Sequence, residues 1–91
     1  MERRSYRFFG RVQSVGFRYT ALQAARRLEL TGWVSNRTDG TVEAQVQGDA
    51  ANLNRFPGTI AALNRWIRLD KTEWSRIPVQ AEEKTFTVRG Y

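Results

Sequence analysis

The spacing of apolar residues changes along the chain, and the order of these spacings restricts the fold more than any other feature. In residues 5–13, SYRFFGRVQ, the apolar Tyr6, Phe8 and Val12 fall on alternate positions, which predicts a half-buried strand. In residues 18–30, apolar side chains recur every three or four positions, which predicts an amphipathic helix. The chain is therefore expected to start with a strand and continue with a helix.

Residues 31–48 are expected to form a hairpin of two strands. Asp39 and Gly40 lie between the strands and form a pair that supplies the positive dihedral angles of a tight turn. After this pair, valine and alanine alternate with polar residues. One face of the second strand is therefore expected to be buried and the other to be hydrated.

A second helical pattern follows Gly48, with Asp49 as the expected N-cap and apolar residues along one side of residues 53–67. Pro57 and Gly58 interrupt this pattern. Proline inside a helix removes one backbone hydrogen bond and clashes with the preceding turn. We therefore expect either a kink there or two short helices.

The last part of the chain is expected to form two extended segments, residues 72–79 and 84–91, with Pro78 at an edge or an end. The order of elements predicts an α+β fold, a ferredoxin-like split β-α-β sandwich with an antiparallel sheet and two helices on one face. We expect one domain over residues 1–91 and a monomer. Large aromatic residues normally pack against the core, and those expected to be in the core or partly in it are Phe8, Phe17, Trp33, Phe56, Trp66 and Trp74.

The chain contains neither cysteine nor histidine. Disulfides and thiolate nucleophiles are therefore excluded, together with the commonest general base and zinc ligand. The net charge of +6 favours anionic partners but does not distinguish nucleic acid, lipid and small phosphates. The first ten residues are charged and lack a long apolar run, so we expect no membrane association and a cytoplasmic location.

Residues 12–18, VQSVGFR, are expected to bend tightly before the first helix. The first amides of a helix have no partner within the helix, and the helix dipole makes this end positive. Gly16 allows a ligand to approach the backbone, and Arg18 adds a planar, permanently charged group that matches phosphate oxygens. Taken alone, such a glycine and arginine are more often structural than functional.

Two segments, GRVQSVGFR at residues 10–18 and GWVSNRTDGTVEAQVQG at residues 32–48, resemble the signature motifs of the acylphosphatases. The first motif of the family is Gly, any residue, Val-Gln-Gly-Val, any residue, Phe-Arg. The second starts with glycine and an aromatic residue, reaches an asparagine, and continues with spaced glycine and valine. Both occur here in the family's order, and the ending FTVRGY is similar to the family's last strand.

This resemblance implies hydrolysis of a small acyl phosphate to a carboxylate and inorganic phosphate, with no metal and no other cofactor. It implies that Arg18 binds the phosphoryl group and that Asn36 orients the attacking water. It also implies a phosphate cradle that accepts phosphate or sulfate. The residues whose backbone amides would form this cradle are Ser14, Val15, Gly16, Phe17 and Arg18.

Two positions near the first helix depart from the family pattern. Ser14 replaces a glycine of the first motif, and a positive φ there would cost on the order of 1 kcal/mol. Glu29 stands where relatives commonly end the helix with glycine. We also expect the carboxylate of Tyr91 to lie near Arg18, because the last strand should end close to the cradle.

Other interpretations of the same residues stay open. Asn36 could stabilise the hairpin turn, and Thr20 could brace the bend through a side-chain hydrogen bond. The fold could also serve an RNA-binding module, or a regulatory module that binds an anion without hydrolysing it. An RNA-binding module of this topology needs solvent-facing aromatic residues on its first and third strands. The third predicted strand has none, so we expect no specific binding of nucleic acid.

Overall fold

The secondary-structure elements follow one another in the order expected from the apolar spacing. The computed structural model describes residues 1–90. Neither helix in this part of the chain is long and apolar enough to cross a membrane. The elements are β1 (Glu2–Arg11), α1 (Phe17–Arg27), β2 (Thr31–Asn36), β3 (Val42–Gly48), α2 (Ala50–Leu63), β4 (Arg68–Ile77) and β5 (Phe86–Val88).

The strands form one sheet in the order β4-β1-β3-β2-β5, and β1 lies between its antiparallel neighbours β3 and β4. β2 pairs with β3 in the antiparallel direction, whereas β5 lies parallel to β2. The expectation of a wholly antiparallel sheet is therefore wrong for β5. β4 runs antiparallel to β1 and ends at the end of the sheet where β2 begins. The connection after β4 crosses the sheet along that end. β5 therefore starts at the same end as β2 and runs in the same direction. Pro78 directly follows β4 and marks the end of this edge strand, as expected.

The core lies between the two helices and one face of the sheet. Tyr6 and Phe8 of β1 stack with ring centroids 5.6 Å apart, and Phe8 contacts Phe17 of α1 at 5.0 Å. Phe56 of α2 lies 5.7 Å from Tyr6 and 6.3 Å from Phe8. Aromatic rings at these separations attract each other beyond the burial of their area. This cluster fixes both helices against β1.

Two of the aromatic residues expected in the core lie at the surface instead. Trp66 is 58% exposed and Trp74 is 50% exposed. Trp74 lies on the edge strand, where the guanidinium of Arg4 stacks on its ring at 3.9 Å from the centroid. Trp66 follows α2, and the guanidinium of Arg65 lies 5.0 Å from its ring centroid. Cation–π contacts of this kind stabilise a ring that is not fully buried.

α2 runs as one helix through Pro57, so the expectation of two short helices is wrong, and the kink stays a prediction. Proline has no N–H to donate to the carbonyl four residues earlier, which is that of Leu53. The hydroxyl of Tyr6 donates to this carbonyl at 2.8 Å, and Tyr6 is only 1% exposed. A side chain of β1 thus replaces the hydrogen bond that the proline removes. Asp49 is the N-cap as predicted, although its side chain makes no capping hydrogen bond.

α1 ends at Arg27, earlier than the predicted range of 18–30. The Leu30 amide donates to the Ala25 carbonyl at 2.8 Å and the Glu29 amide to the Arg26 carbonyl at 3.3 Å. These two bonds form a Schellman motif, whose penultimate residue needs left-handed backbone. Glu29 has φ 55°, a backbone conformation that glycine adopts more readily than glutamate does.

The connection between β4 and β5 crosses the face of the sheet that the helices leave open. Arg3 pairs with Glu83 at 2.8 Å and is 2% exposed. The Gln47 side chain donates to the Gln80 carbonyl at 2.9 Å and accepts from the Gln80 amide at 2.8 Å. These contacts cover one end of the open face. They also bury Gln47, which was expected to be hydrated.

The contact between Tyr6 and Leu53 can be tested with a double-mutant cycle. Tyr6→Phe leaves the buried Leu53 carbonyl without its donor, and we expect the free energy of unfolding to fall by about 1–3 kcal/mol. In a Pro57→Ala background the residue 57 amide can supply the missing bond, so the same substitution should cost about 1 kcal/mol less. Urea denaturation of the four proteins measures both values. Equal costs in the two backgrounds would show that the hydroxyl does not replace the lost helix bond.

Candidate active site

A pocket of about 320 Å³ lies where the bend between β1 and α1 meets the ends of β2 and β5. In the description of residues 1–90, Val15 is the one predicted cradle residue that does not line this pocket. Its side chain packs against the core, and its carbonyl accepts a hydrogen bond from Asn64 at 2.8 Å. The pocket is lined by Val12, Ser14, Gly16, Phe17, Arg18, Tyr19, Asn36, Val88, Arg89 and Gly90.

The bend owes its shape to left-handed backbone at two of its residues. Ser14 has φ 62° and Gly16 has φ 78°. A Cβ atom added to Gly16 would meet its nearest neighbour, Nδ2 of Asn64, at 3.7 Å, which is an ordinary contact. The need for glycine at position 16 is therefore conformational and not one of space. The positive φ at Ser14 fulfils the condition under which serine at this position costs free energy.

Gly16 is the N-cap of α1, and the first bond of this helix end is from the Thr20 amide to the Gly16 carbonyl at 3.0 Å. The amides of Phe17, Arg18 and Tyr19 precede that bond and have no acceptor within the helix. The first turn contains no acidic residue. The helix dipole therefore faces the pocket without a neutralising carboxylate on its own turn, which favours an anion there.

The Arg18 guanidinium lies in the wall of the pocket and is held by the main chain. Its Nη1 atom donates to the Arg89 carbonyl at 2.8 Å. Arg89 follows β5, its amide donates to the Val34 carbonyl at 2.9 Å, and its guanidinium lies 4.2 Å from the Trp33 ring centroid. The end of β5 thereby sets the orientation of Arg18. The expected contact with the Tyr91 carboxylate lies outside the described residues.

Asn36 is the last residue of β2 and lines the pocket. The hairpin that follows is closed by other groups. Asp39 accepts from the amide and the hydroxyl of Thr41 at 3.0 and 2.6 Å, which lowers the pKa of its carboxyl group. Gly40 has φ 89° and donates to the Arg37 carbonyl at 3.2 Å. Among residues 1–90 no hydrogen bond of the turn uses the Asn36 carboxamide, which disfavours a turn-stabilising role.

Gln13 connects the bend to the hairpin and was not singled out from the sequence. Its Nε2 atom donates to the Arg37 carbonyl at 2.7 Å and to the Thr41 carbonyl at 2.9 Å. These bonds hold the end of β2, and with it Asn36, beside the bend. The glutamine in the segment VQSVGFR was the available signal. The lining residues that were not selected from the sequence are Val12, Tyr19, Val88, Arg89 and Gly90. Val12 belongs to VQSVGFR and residues 88–90 belong to FTVRGY, so these two segments were the available signal.

A larger concavity of about 460 Å³ lies on the open face of the sheet. It contains Arg7 between Glu43 and Glu73, and Arg7 also pairs with Asp39 at 3.4 Å. Its charges of both signs suit a phosphate dianion less well than the end of α1 does. Residues 1–90 contain no group of three or more acidic side chains placed to hold a metal ion.

The model of the acylphosphatase family matches residues 4–88. The chain belongs to the acylphosphatase family. An acylphosphatase of Clostridium acetobutylicum is 40% identical over 88 residues, which cover 97% of each chain. An acylphosphatase of Geobacillus kaustophilus is 42% identical over 79 residues, covering 87% of this chain and 84% of the relative.

Solved structures of acylphosphatases share the fold. The acylphosphatase of Bacillus subtilis superposes with a TM-score of 0.89 at 28% identity and covers 98% of this chain and 99% of its own. The acylphosphatase of Coxiella burnetii has a TM-score of 0.87 at 27% identity, covering 97% and 92%. These similarities confirm the α+β, ferredoxin-like fold class predicted from the sequence.

The strain at Ser14 predicts the effect of restoring the family glycine. Ser14→Gly removes the Cβ atom from left-handed backbone, and we expect a gain of about 0.5–1 kcal/mol in the free energy of unfolding. The gain is partial because glycine also increases the freedom of the unfolded chain. Urea denaturation measures it, with Ser14→Ala as the matched control that removes the hydroxyl but keeps the Cβ atom. An equal gain in Ser14→Ala would refute the conformational explanation.

Proposed function

We propose that residues 1–91 form a single catalytic domain that hydrolyses acyl phosphates to a carboxylate and inorganic phosphate. The main support for this proposal is that one pocket combines the amides at the start of α1, the Arg18 guanidinium and the Asn36 carboxamide. Membership of the acylphosphatase family supports this activity. The two motifs that resemble the family contribute these same groups.

The proposed cradle binds the phosphoryl group through the backbone amides of Ser14, Gly16, Phe17 and Arg18, which line the pocket, and through the Arg18 guanidinium. The dipole of α1 and the unpaired amides of its first turn favour a doubly charged anion. Arg18 offers a planar fork of donors, and within residues 1–90 the bond from its Nη1 atom to the Arg89 carbonyl leaves the other N–H groups for phosphate oxygens. Inorganic phosphate and sulfate should bind at the same place.

The proposed reaction needs no general base from the protein. The carbonyl oxygen of the Asn36 side chain accepts a hydrogen bond from the attacking water and orients the water oxygen toward phosphorus. A bond forms between this oxygen and phosphorus while the bond from phosphorus to the acyl oxygen breaks, and the carboxylate leaves with that electron pair. The proton of the attacking water passes to an oxygen of the transferred phosphate. The cradle and Arg18 stabilise the charge on the equatorial oxygens, which is the main task in phosphoryl transfer.

We also propose that the enzyme acts without a metal, as a monomer and in the cytoplasm. The alternative of an RNA-binding module is not favoured, because β3 has no aromatic residue and the β4–β5 connection covers part of the open face.

Substitution of Arg18 should abolish both binding and turnover. For Arg18→Ala we expect kcat/KM for an aryl acyl phosphate to fall by about 10³-fold or more, because a transition-state cation is lost. Calorimetry should detect no phosphate binding. Arg26→Ala, which removes an arginine from the last turn of the same helix, is the matched control and should behave like wild type. Activity of Arg18→Ala close to that of the control would refute the assignment.

Substitution of Asn36 should separate binding from turnover. We expect Asn36→Ala to lower kcat by about 10²–10³-fold, because the water loses its orienting acceptor, while the Kd for phosphate changes little. Initial rates and calorimetry on the same preparation check both values. Asn52→Ala on α2 is the matched control. A loss of phosphate affinity equal to that of Arg18→Ala would contradict the assigned role.

The proposal of metal-independent hydrolysis can be tested on the wild-type protein. We expect release of phosphate from an aryl acyl phosphate at the same rate before and after dialysis against a chelator. Loss of activity on dialysis and its return with a divalent cation would contradict the proposal. A parallel gel shift with RNA should show no band, and RNA binding without hydrolysis would favour the alternative function.

A further inference from the structure

The side chain of Asn64 connects the end of α2 to the bend between β1 and α1. Its Nδ2 atom donates to the Val15 carbonyl at 2.8 Å and to the Thr20 hydroxyl oxygen at 3.1 Å. Its Oδ1 atom accepts from the Trp66 amide at 2.9 Å. The last bond determines which end of the carboxamide faces the bend, since only the NH₂ group can donate to two oxygens. One residue at the end of the second helix therefore holds a carbonyl of the bend and a hydroxyl of α1.

Thr20 continues this chain of hydrogen bonds. It is buried, with 4% of its surface exposed. Its hydroxyl donates to the Gly16 carbonyl at 2.9 Å, and its amide donates to the same carbonyl at 3.0 Å. Because the Asn64 carboxamide donates to the Thr20 oxygen, the hydroxyl proton is directed toward Gly16. The chain thus runs from Asn64 through Thr20 to the carbonyl of the N-cap residue.

The two carbonyls that are held in this way belong to consecutive peptide groups. In a planar trans peptide the C=O and the following N–H point in opposite directions. The bond to the Val15 carbonyl therefore sets the direction of the Gly16 N–H, and the bonds to the Gly16 carbonyl set that of the Phe17 N–H. Gly16 and Phe17 both line the pocket. Within residues 1–90 the pocket wall includes neither Asn64 nor Thr20.

The bend needs such support because its conformation is intrinsically unfavourable. Ser14 at φ 62° is strained, and residues in sparsely populated backbone regions keep their conformation only when neighbouring groups enforce it. Gly16 at φ 78° has no Cβ atom and can adopt many other conformations. Without a bond to the Val15 carbonyl, the peptide between residues 15 and 16 could rotate and turn the Gly16 N–H away from the pocket.

We infer that Asn64 and Thr20 are positioning residues of the phosphate site, which hold the Gly16 and Phe17 amides toward the ligand before it binds. This inference rests on the proposed function, because the ligand in question is the phosphoryl group of the substrate. The two residues act through the backbone and do not touch the reacting atoms. If removal of these two side chains leaves about one tenth of the molecules with the Gly16 and Phe17 amides oriented toward the ligand, the apparent Kd for phosphate rises about tenfold.

The test uses Thr20→Val and Asn64→Leu, which keep the approximate volume of each side chain and remove its polar atoms. Thr20→Ser keeps a hydroxyl at this position, unlike Thr20→Val, and should bind phosphate as the wild type does. Asn54→Leu is the matched control, since Asn54 on α2 accepts from Arg4 at 2.8 Å and does not contact the bend. Each full-length protein is assayed for hydrolysis of an aryl acyl phosphate, for Kd of inorganic phosphate and for the midpoint of thermal unfolding.

Nitrogen-15 NMR provides a readout that a purely structural role would not change. In the wild type, added phosphate should shift the amide signals of Gly16 and Phe17 and the side-chain Nε signal of Arg18. In Thr20→Val and Asn64→Leu we expect about tenfold weaker phosphate binding and smaller shifts of the two amides at saturation, while Arg18 still responds. In the double variant the loss of affinity should be less than the product of the single losses, because Asn64 acts partly through Thr20.

The outcomes separate this inference from the proposed function. A wild-type protein that hydrolyses the substrate and binds phosphate, with unchanged binding in both variants, overturns the positioning role alone. The same holds if Asn54→Leu loses as much phosphate affinity as Asn64→Leu. A wild-type protein that neither hydrolyses an aryl acyl phosphate nor shifts its Gly16 and Phe17 amides with phosphate overturns the proposed function and this inference together. Phosphate binding in Thr20→Ser that is as weak as in Thr20→Val also overturns the role of the hydroxyl.

Discussion

The short bend between β1 and α1 must carry the chain from the sheet to the helix layer, and most of the site depends on how it does so. It uses left-handed backbone at Ser14 and Gly16. This conformation directs the start of α1 into a pocket and leaves the first amides of the helix without acceptors. A group of backbone donors at the positive end of a helix dipole is thereby available to an anion.

Irregular backbone in this protein is stabilised by side chains from distant parts of the chain. The Tyr6 hydroxyl satisfies the Leu53 carbonyl that Pro57 leaves without a donor. Asn64 holds the Val15 carbonyl in the bend, and Gln13 holds the hairpin after β2. Buried backbone groups without partners are costly, so the Leu53 carbonyl in particular requires its donor. The same contacts join β1, α2 and the hairpin around the pocket.

Much of the fold and the site could be predicted from local patterns. The alternation of Tyr6 and Phe8 identified β1, and the spacing of apolar residues identified both helices, because side chains repeat every two residues in a strand and every 3.6 in a helix. The motif resemblance selected Arg18 and Asn36, and both line one pocket. The exposure of Trp66 and Trp74 was not predicted, because aromatic character in general favours burial. The sequence does not show which rings lie at the surface in cation–π contacts.

The sequence by itself determined the order of the elements and the residue types of the site, because both depend on local spacing and on short motifs. The tertiary structure alone decided that β5 lies parallel to β2 and that α2 passes through Pro57. It also decided that Val15 faces Asn64 instead of the pocket. The direction of β5 follows from where β4 ends, and the continuity of α2 is explained by a hydroxyl from another strand. Contacts between residues far apart in sequence leave no periodic signal in the chain, so only their positions in the folded protein show them.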